Sequence, residues 1–207
     1  HLQKNGYCTW LELNGIPCID TAEAQMNQSI CTSRSFGRNV EDLPSLKASV
    51  ANFALSCANK LRSQRAVSSS VTVFLYSNRF RDDLEQYENA DTFYFLTPTS
   101  DSLEITKAAL QILQNIYRPG IQYKKTGVVL GRISSSDIIQ QDLFDSIPNR
   151  PQRMELMKTI DSLNHRYGPK TIGLVVEESR ERNWHVKSEF RSPNYLTDIN
   201  EILTIKI

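Results

Sequence analysis

Histidine occurs only three times in these 207 residues, and the four cysteines include no CxxC pair. Cys8, Cys18, Cys31 and Cys57 are scattered, with only His1, His165 and His185 available to join them. The spacing of a zinc site is therefore missing, and the thiols read as reduced and mostly packed. No apolar run reaches the ~18 residues that a membrane span needs, and the start lacks the basic, apolar and small-residue order of a signal peptide. These absences point to a soluble, cytoplasmic protein. Neither internal histidine stands in a recognisable nucleophile context, so Ser-His-Asp chemistry has no support. The overall composition is that of a globular protein, which removes disordered and collagen-like classes. The length allows one sizeable domain and a smaller one.

Net charge is +1, a figure that conceals an uneven distribution. From Gln28 to Phe80 seven basic residues (Arg34, Arg38, Lys47, Lys60, Arg62, Arg65, Arg79) face only Glu41 and Asp42, so the block is basic by five. Lys124, Lys125 and Arg132 form a second stretch free of acids, while Asp82, Asp83, Glu85, Glu88 and Asp91 crowd between the two. A folded domain could present one cationic face, although a solvated surface with locally uneven charge is the plainer reading of charge alone.

The apolar pattern predicts the element order. Residues 1–27 open with Trp10, Leu11, Leu13 and Ile16, which look like the end of an element whose partners lie outside the chain, and run into a polar linker. Ser29 to Phe36 reads as a strand closed by Gly37. Asp42 and Pro44 supply helix-start signals, since a carboxylate accepts free first-turn amides and proline has no donor to leave unpaired there. Leu46, Val50, Phe53, Cys57 and Leu61 then form one helical stripe. Val67, Val71, Val73 and Leu75 alternate with Ser68, Ser70, Thr72 and Phe74, a strand with one buried and one hydroxyl-rich face. Thr92 to Leu96 reads as a short aromatic strand. Asp101 with Glu104 fits a capping box, and Leu103, Thr106, Leu110, Leu113 and Tyr117 mark the stripe of a second helix, stopped at Arg118-Pro119-Gly120. Ile121 to Ile133 returns to a strand.

Strand, helix, strand, strand, helix, strand predicts an α+β fold: a four-stranded sheet with both helices on one face. The opposite face is left open. Outward Ser and Thr beside Arg and Lys suit sugar-phosphate oxygens, because short hydroxyls admit close approach while cations neutralise charge. Beyond Arg132, residues 135–150 read as a linker. Residues 151–207 read as a small α/β domain with a helix through Met154, Met157, Ile160 and Leu163, and strands at Thr171–Val176, Trp184–Lys187 and Ile202–Ile207.

Six stretches agree in order with one family. Cys31-Thr32-Ser33-Arg34-Ser35-Phe36-Gly37 resembles the opening strand of the little finger of UmuC-type, Y-family lesion-bypass polymerases. Glu12 to Cys18 resembles the segment leaving the thumb, Ala58 to Arg62 the end of the first little-finger helix, and Leu96 to Thr99 and Tyr123 to Gly131 its third and fourth strands. Ser192 to Thr197 is similar to the small domain that ends the UmuC group. The resemblance implies that 28–134 is a little finger holding primer-template DNA by its backbone, in DNA repair under the SOS response. On it, Ser33, Arg34, Ser35, Arg38, Lys124 and Lys125 are candidates for phosphate contact, followed by Arg65, Arg79, Ser69 and Thr72. Lys124 and Lys125 point to opposite faces if their strand is regular, so only one of them faces the duplex.

The resemblance also implies what the chain leaves to its parent. Two-metal nucleotidyl transfer needs clustered carboxylates. In this family they belong to a palm preceding residue 1, so no catalytic residue, metal ligand or cofactor is expected here, and magnesium is expected for the parent polymerase. Asp82-Asp83 is no substitute, because adjacent strand residues face apart and the surroundings read as a loop. Gln140-Gln141-Asp142-Leu143-Phe144 resembles the peptide by which bacterial polymerases bind the sliding clamp. Leu143 and Phe144 would fill an apolar pocket while Gln140 supplies an orienting amide, with Asp142 between. Gln141 departs from the apolar residue often found there. A rival is a protein-interaction module for a UmuD-type subunit or a recombinase filament, with DNA contact incidental. An independent hydrolase or metal enzyme has no supporting constellation.

Overall fold

The computed structural model describes residues 3–18, 27–137, 147–168, 171–173 and 192–194. Helix α1 (Gln3–Leu13) precedes β1 (Ser29–Val40), α2 (Leu43–Ser63), β2 (Ala66–Ser77), β3 (Glu88–Thr99), α3 (Ser102–Ile116), β4 (Tyr123–Ser135) and α4 (Arg150–Tyr167). The six central elements follow the expected order. They build one antiparallel sheet in the order β1-β4-β2-β3. No helix among the described residues is long and apolar enough to cross a membrane.

Both helix starts are capped as their sequences require. The Asp42 carboxylate accepts from the Ser45 amide at 2.7 Å, and the Asp101 carboxylate from the Leu103 amide at 2.8 Å. The expected capping box at α3 is not closed, because Glu104 turns to Thr99 and Arg150, and the Asp101 amide donates to the Thr99 hydroxyl instead. The α2 stripe is as predicted, with Leu46, Val50, Phe53, Cys57 and Leu61 all buried. For α3 the stripe is turned: Ile105, Ala109, Ile112 and Ile116 are buried with Thr106 and Leu113, whereas Leu103 is 38% exposed. Apolar residues surround much of this helix, so its spacing allows two overlapping stripes. Packing against α2 as well as the sheet selects between them.

The core lies between the helices and one sheet face, where Ile30, Val71, Val73, Leu75, Val128 and Leu130 are buried. Helix α2 rests on β1, β4 and β2, and α3 on β2 and β3. β1 runs past Gly37 to Val40 rather than stopping there. Its pairing steps from Ser35↔Lys125 to Val40↔Tyr123, a bulge that period-two alternation does not reveal.

Helix α4 is held by charge rather than by an apolar stripe, and its one buried residue is Met157. Arg62 of α2 grips both carboxylate oxygens of Asp161 at 2.6 and 2.7 Å while donating to the Ser100 carbonyl and the Ser102 hydroxyl, each at 2.8 Å. Arg150 and Arg153 of α4 return the contact to Glu104 and Asp101 at the start of α3. Charge-assisted bonds to partly buried groups are each worth ~1.5–3 kcal/mol. Arg62→Met is therefore expected to speed hydrogen exchange of α4 amides by about 30-fold, for a loss of ~2 kcal/mol, and to leave the central strands protected. Unchanged α4 exchange would show that this seam does not hold the helix. The strands expected at Trp184–Lys187 and Ile202–Ile207, and most of that from Thr171, lie outside the described residues.

Candidate nucleic-acid interface

Strand register places four rows of side chains on the sheet face away from α2 and α3. The rows run Ser35–Lys125–Tyr76–Glu88, Ser33–Gly127–Phe74–Ala90, Cys31–Val129–Thr72–Thr92 and Ser29–Gly131–Ser70–Tyr94. Five Ser and Thr hydroxyls that are at least partly exposed (Ser29, Ser33, Ser35, Thr72 and Thr92), three aromatic rings, one ammonium and one carboxylate make up most of this surface, and Ser70 in the same rows is buried. The hydroxyls of Thr72 and Thr92 bond each other at 2.8 Å.

Gly127 determines how the second row lies. A Cβ built there would collide with the Phe74 ring and the Ser33 side chain, so only glycine lets the ring lie down across β4. Phe74 stacks on Tyr76 with centroids 4.9 Å apart, and the Lys125 ammonium stands 5.9 Å from the Phe74 centroid.

Charge is graded across the sheet. β1 and β4 together carry five cations (Arg34, Arg38, Lys124, Lys125, Arg132) and no carboxylate; β2 is uncharged; β3 carries Glu88 and Asp91 and no cation. The basic edge is thus β1, at the far side of the sheet from the acidic loop that precedes β3.

The ten sequence-derived candidates divide by position. Ser33, Ser35, Thr72 and Lys125 share the open face. Arg34 alternates onto the other side, opposite Thr126, and stays exposed at the edge strand; Arg38 is exposed within the β1 bulge. The Lys124 ammonium donates to the Phe36 carbonyl at 2.7 Å and so closes that bulge. Of the adjacent lysines only Lys125 takes a place in the open rows. Ser69 is partly buried at a register shift between β2 and β3. Arg65 is exposed in the turn after α2 with φ 51°, and its carbonyl accepts from the Ser136 amide. Arg79 is exposed beyond β2 and sits 3.4 Å from Glu88. Gln140, Asp142, Leu143 and Phe144 lie outside the described residues.

Three open-face residues, Tyr76, Tyr94 and Arg132, were not among the candidates. Tyr76 extends the alternation Ser70, Thr72, Phe74 and was legible from it. The others depend on register and on one unusual backbone angle: Arg132 has φ 50°, which resets the alternation so that Gly131 faces outward while Ile133 packs on the core. The Arg132 guanidinium then lies 4.6 Å from the centroid of the Tyr94 ring.

Asp82 and Asp83 do not fit a metal pair. Arg81 takes both oxygens of Asp83 at 2.5 and 2.7 Å, and this pairing holds the Asp83 carboxyl below its ordinary pKa. Among the described residues no group of three His, Cys, Asp or Glu converges.

Comparison with known proteins adds the family context. Residues 27–143 match the impB/mucB/samB family C-terminal domain, and residues 154–205 match a domain of unknown function (DUF4113). The chain is 34% identical over 196 residues to Protein UmuC of Salmonella typhimurium, covering 94% of this chain and 46% of that protein. It is 35% identical over 192 residues to Protein ImpB of Salmonella typhimurium, and 33% over 192 residues to Protein MucB of Escherichia coli, each covering 92% of this chain and 45% of the relative. The chain spans less than half the length of each of these relatives.

Proposed function

Since the chain belongs to the impB/mucB/samB family of UmuC-type, Y-family polymerases, we propose that it grips the sugar-phosphate backbone of primer-template DNA for a translesion polymerase in DNA repair. The observation that carries this reading is the open sheet face, rich in hydroxyls and bordered by two strands that bear five cations and no carboxylate. Hydroxyls and cations of this kind suit phosphate and sugar oxygens and carry no base code.

Dimensions support the same mode. Four strands ~4.8 Å apart span about 14 Å, whereas the ~12 Å major groove admits a two-stranded ribbon. A four-stranded face therefore lies over the groove mouth and meets its phosphate walls. Nucleotidyl transfer, with magnesium, is assigned to the parent's palm. In the linker, Leu143 and Phe144, oriented by Gln140 with Asp142 between, are proposed to dock a sliding clamp.

Duplexes of unrelated sequence should bind the chain within about twofold of one another, since phosphate contacts carry no sequence information. Gel shift with matched lengths tests this, and strong preference for one sequence would overturn backbone gripping. The second reading, a module for a UmuD-type subunit or recombinase filament, is favoured by one feature. β3 is an edge strand exposing Phe93, Tyr94 and Leu96, the kind of edge to which an extended peptide adds.

A further inference from the structure

Residues 4–18 are exposed almost throughout, and besides Gly6 only Cys8, Leu11 and Cys18 are partly covered. Cys8 and Leu11 stand three apart on α1 and so share a face. The helix ends in a Schellman turn: Gly15 takes φ 78°, its amide donates to the Glu12 carbonyl at 3.0 Å, and the Ile16 amide donates to the Leu11 carbonyl at 3.0 Å. That reversal carries Pro17 and Cys18 back along the helix. There the Cys18 thiol donates to the Ile16 carbonyl at 3.7 Å and lies against the Cys8 thiol. Desolvation, Cys8 and Glu12 push the Cys18 pKa up, as expected where two groups that ionise to anions share one site. Both cysteines are free thiols.

We infer that Cys8 and Cys18 form an oxidant-sensitive dithiol, which a peroxide closes to an intrachain disulfide that pins the returning chain on α1. One thiolate attacks the O–O bond of hydrogen peroxide, becoming a sulfenic acid and releasing hydroxide. The second thiol then displaces the sulfenic hydroxyl as water, so that two thiols and one peroxide yield one disulfide and two waters. The sulfurs are oxidised and the peroxide oxygens reduced. Cys18, its pKa raised, ionises reluctantly, so the first attack falls to Cys8 and Cys18 resolves it. Neither other cysteine competes: Cys31 lies on β1, and Cys57 is buried beneath α2 with its own pKa pushed up by burial. The bond has a consequence for the helix. At 11 residues α1 is shorter than an isolated helix needs for stability, and closing a loop of about eleven residues restricts its unfolded forms. Amides from Thr9 to Ile16 should therefore exchange about tenfold or more slowly after oxidation.

The full 207-residue chain, treated briefly with hydrogen peroxide, blocked with N-ethylmaleimide and cut after glutamate, gives the test, because Glu12 separates the two cysteines. Mass spectrometry should find the two peptides joined through Cys8 and Cys18, two hydrogens lighter than their sum, and parted by dithiothreitol. Cys31→Ser should keep the link. Cys8→Ser should abolish it, and Cys18→Ser should leave Cys8 as a sulfenic acid that dimedone captures. Cys8 and Cys18 oxidised on separate peptides, equal linkage of either to Cys31, or a yield that rises with protein concentration would overturn the pairing. Unchanged hydrogen exchange across Thr9 to Ile16 in the linked protein would overturn the pinning of α1.

Discussion

Raising salt from about 50 to 200 mM is expected to lower duplex affinity by about 10²-fold, equally for every sequence. The magnitude follows from counting cations that can reach phosphate. Of the five on β1 and β4, the Lys124 ammonium is engaged by the Phe36 carbonyl; Lys125 and Arg132 stand on the open face, and Arg34 and Arg38 are exposed on the edge strand that borders it. Four phosphate contacts give a slope of log affinity against log salt of about −3.6, and a fourfold rise in salt then gives the stated loss. Lys125→Glu should weaken binding further and reduce the slope by about one, because one counterion fewer is released. Lys124→Ala should alter the slope less than Lys125→Ala. A flat salt response, measured by anisotropy, would remove the phosphate-gripping role.

The second large effect concerns the linker. Leu143→Ala with Phe144→Ala should abolish sliding-clamp pulldown, since two apolar anchors worth ~2 kcal/mol each set affinity by a factor of about 10³. Duplex binding should stay within about twofold, because the double substitution leaves every residue of strands β1 to β4 unchanged. Gln141, where an apolar residue is often found, should limit the starting affinity, and Gln141→Leu should raise it. Pulldown that survives the double substitution would withdraw the peptide's assignment.

Much of the fold was legible because its signals are local. The α2 stripe occupies one helical face, and the carboxylates of Asp42 and Asp101 sit where a helix start needs them, so spacing alone located both helices. Features set by distant neighbours were not legible. The α3 stripe turned because apolar residues occur on several of its faces, and only packing against α2 chooses among them. The β1 bulge appears only when β1 is paired with β4, which is why Gly37 read as an end.

The candidate site followed the same division. Alternation within β2 placed Thr72 outward, and adjacency in β4 foresaw that Lys124 and Lys125 would part. Tyr94 needed the register of β3, and nothing in the identity of Arg132 announces a positive φ. The seam holding α4 was hidden for a further reason: Arg62 and Asp161 are 99 residues apart, and each alone reads as a solvated surface charge.

The central claim, that DNA covers the face away from the helices, has a native reporter in Cys31. Its thiol is exposed in the third open row between Ser29 and Ser33, while Cys57 is buried on the helix side with its pKa pushed up by burial. Thiolate is the reactive form, so Cys57 should stay unmodified with or without DNA. Saturating duplex should slow alkylation of Cys31 about tenfold or more, as steric cover of an exposed thiol requires, and leave the rates at Cys8 and Cys18 unchanged, as read by mass spectrometry of the digested protein. Alkylation of Cys31 at the same rate in free and duplex-bound protein would contradict the account.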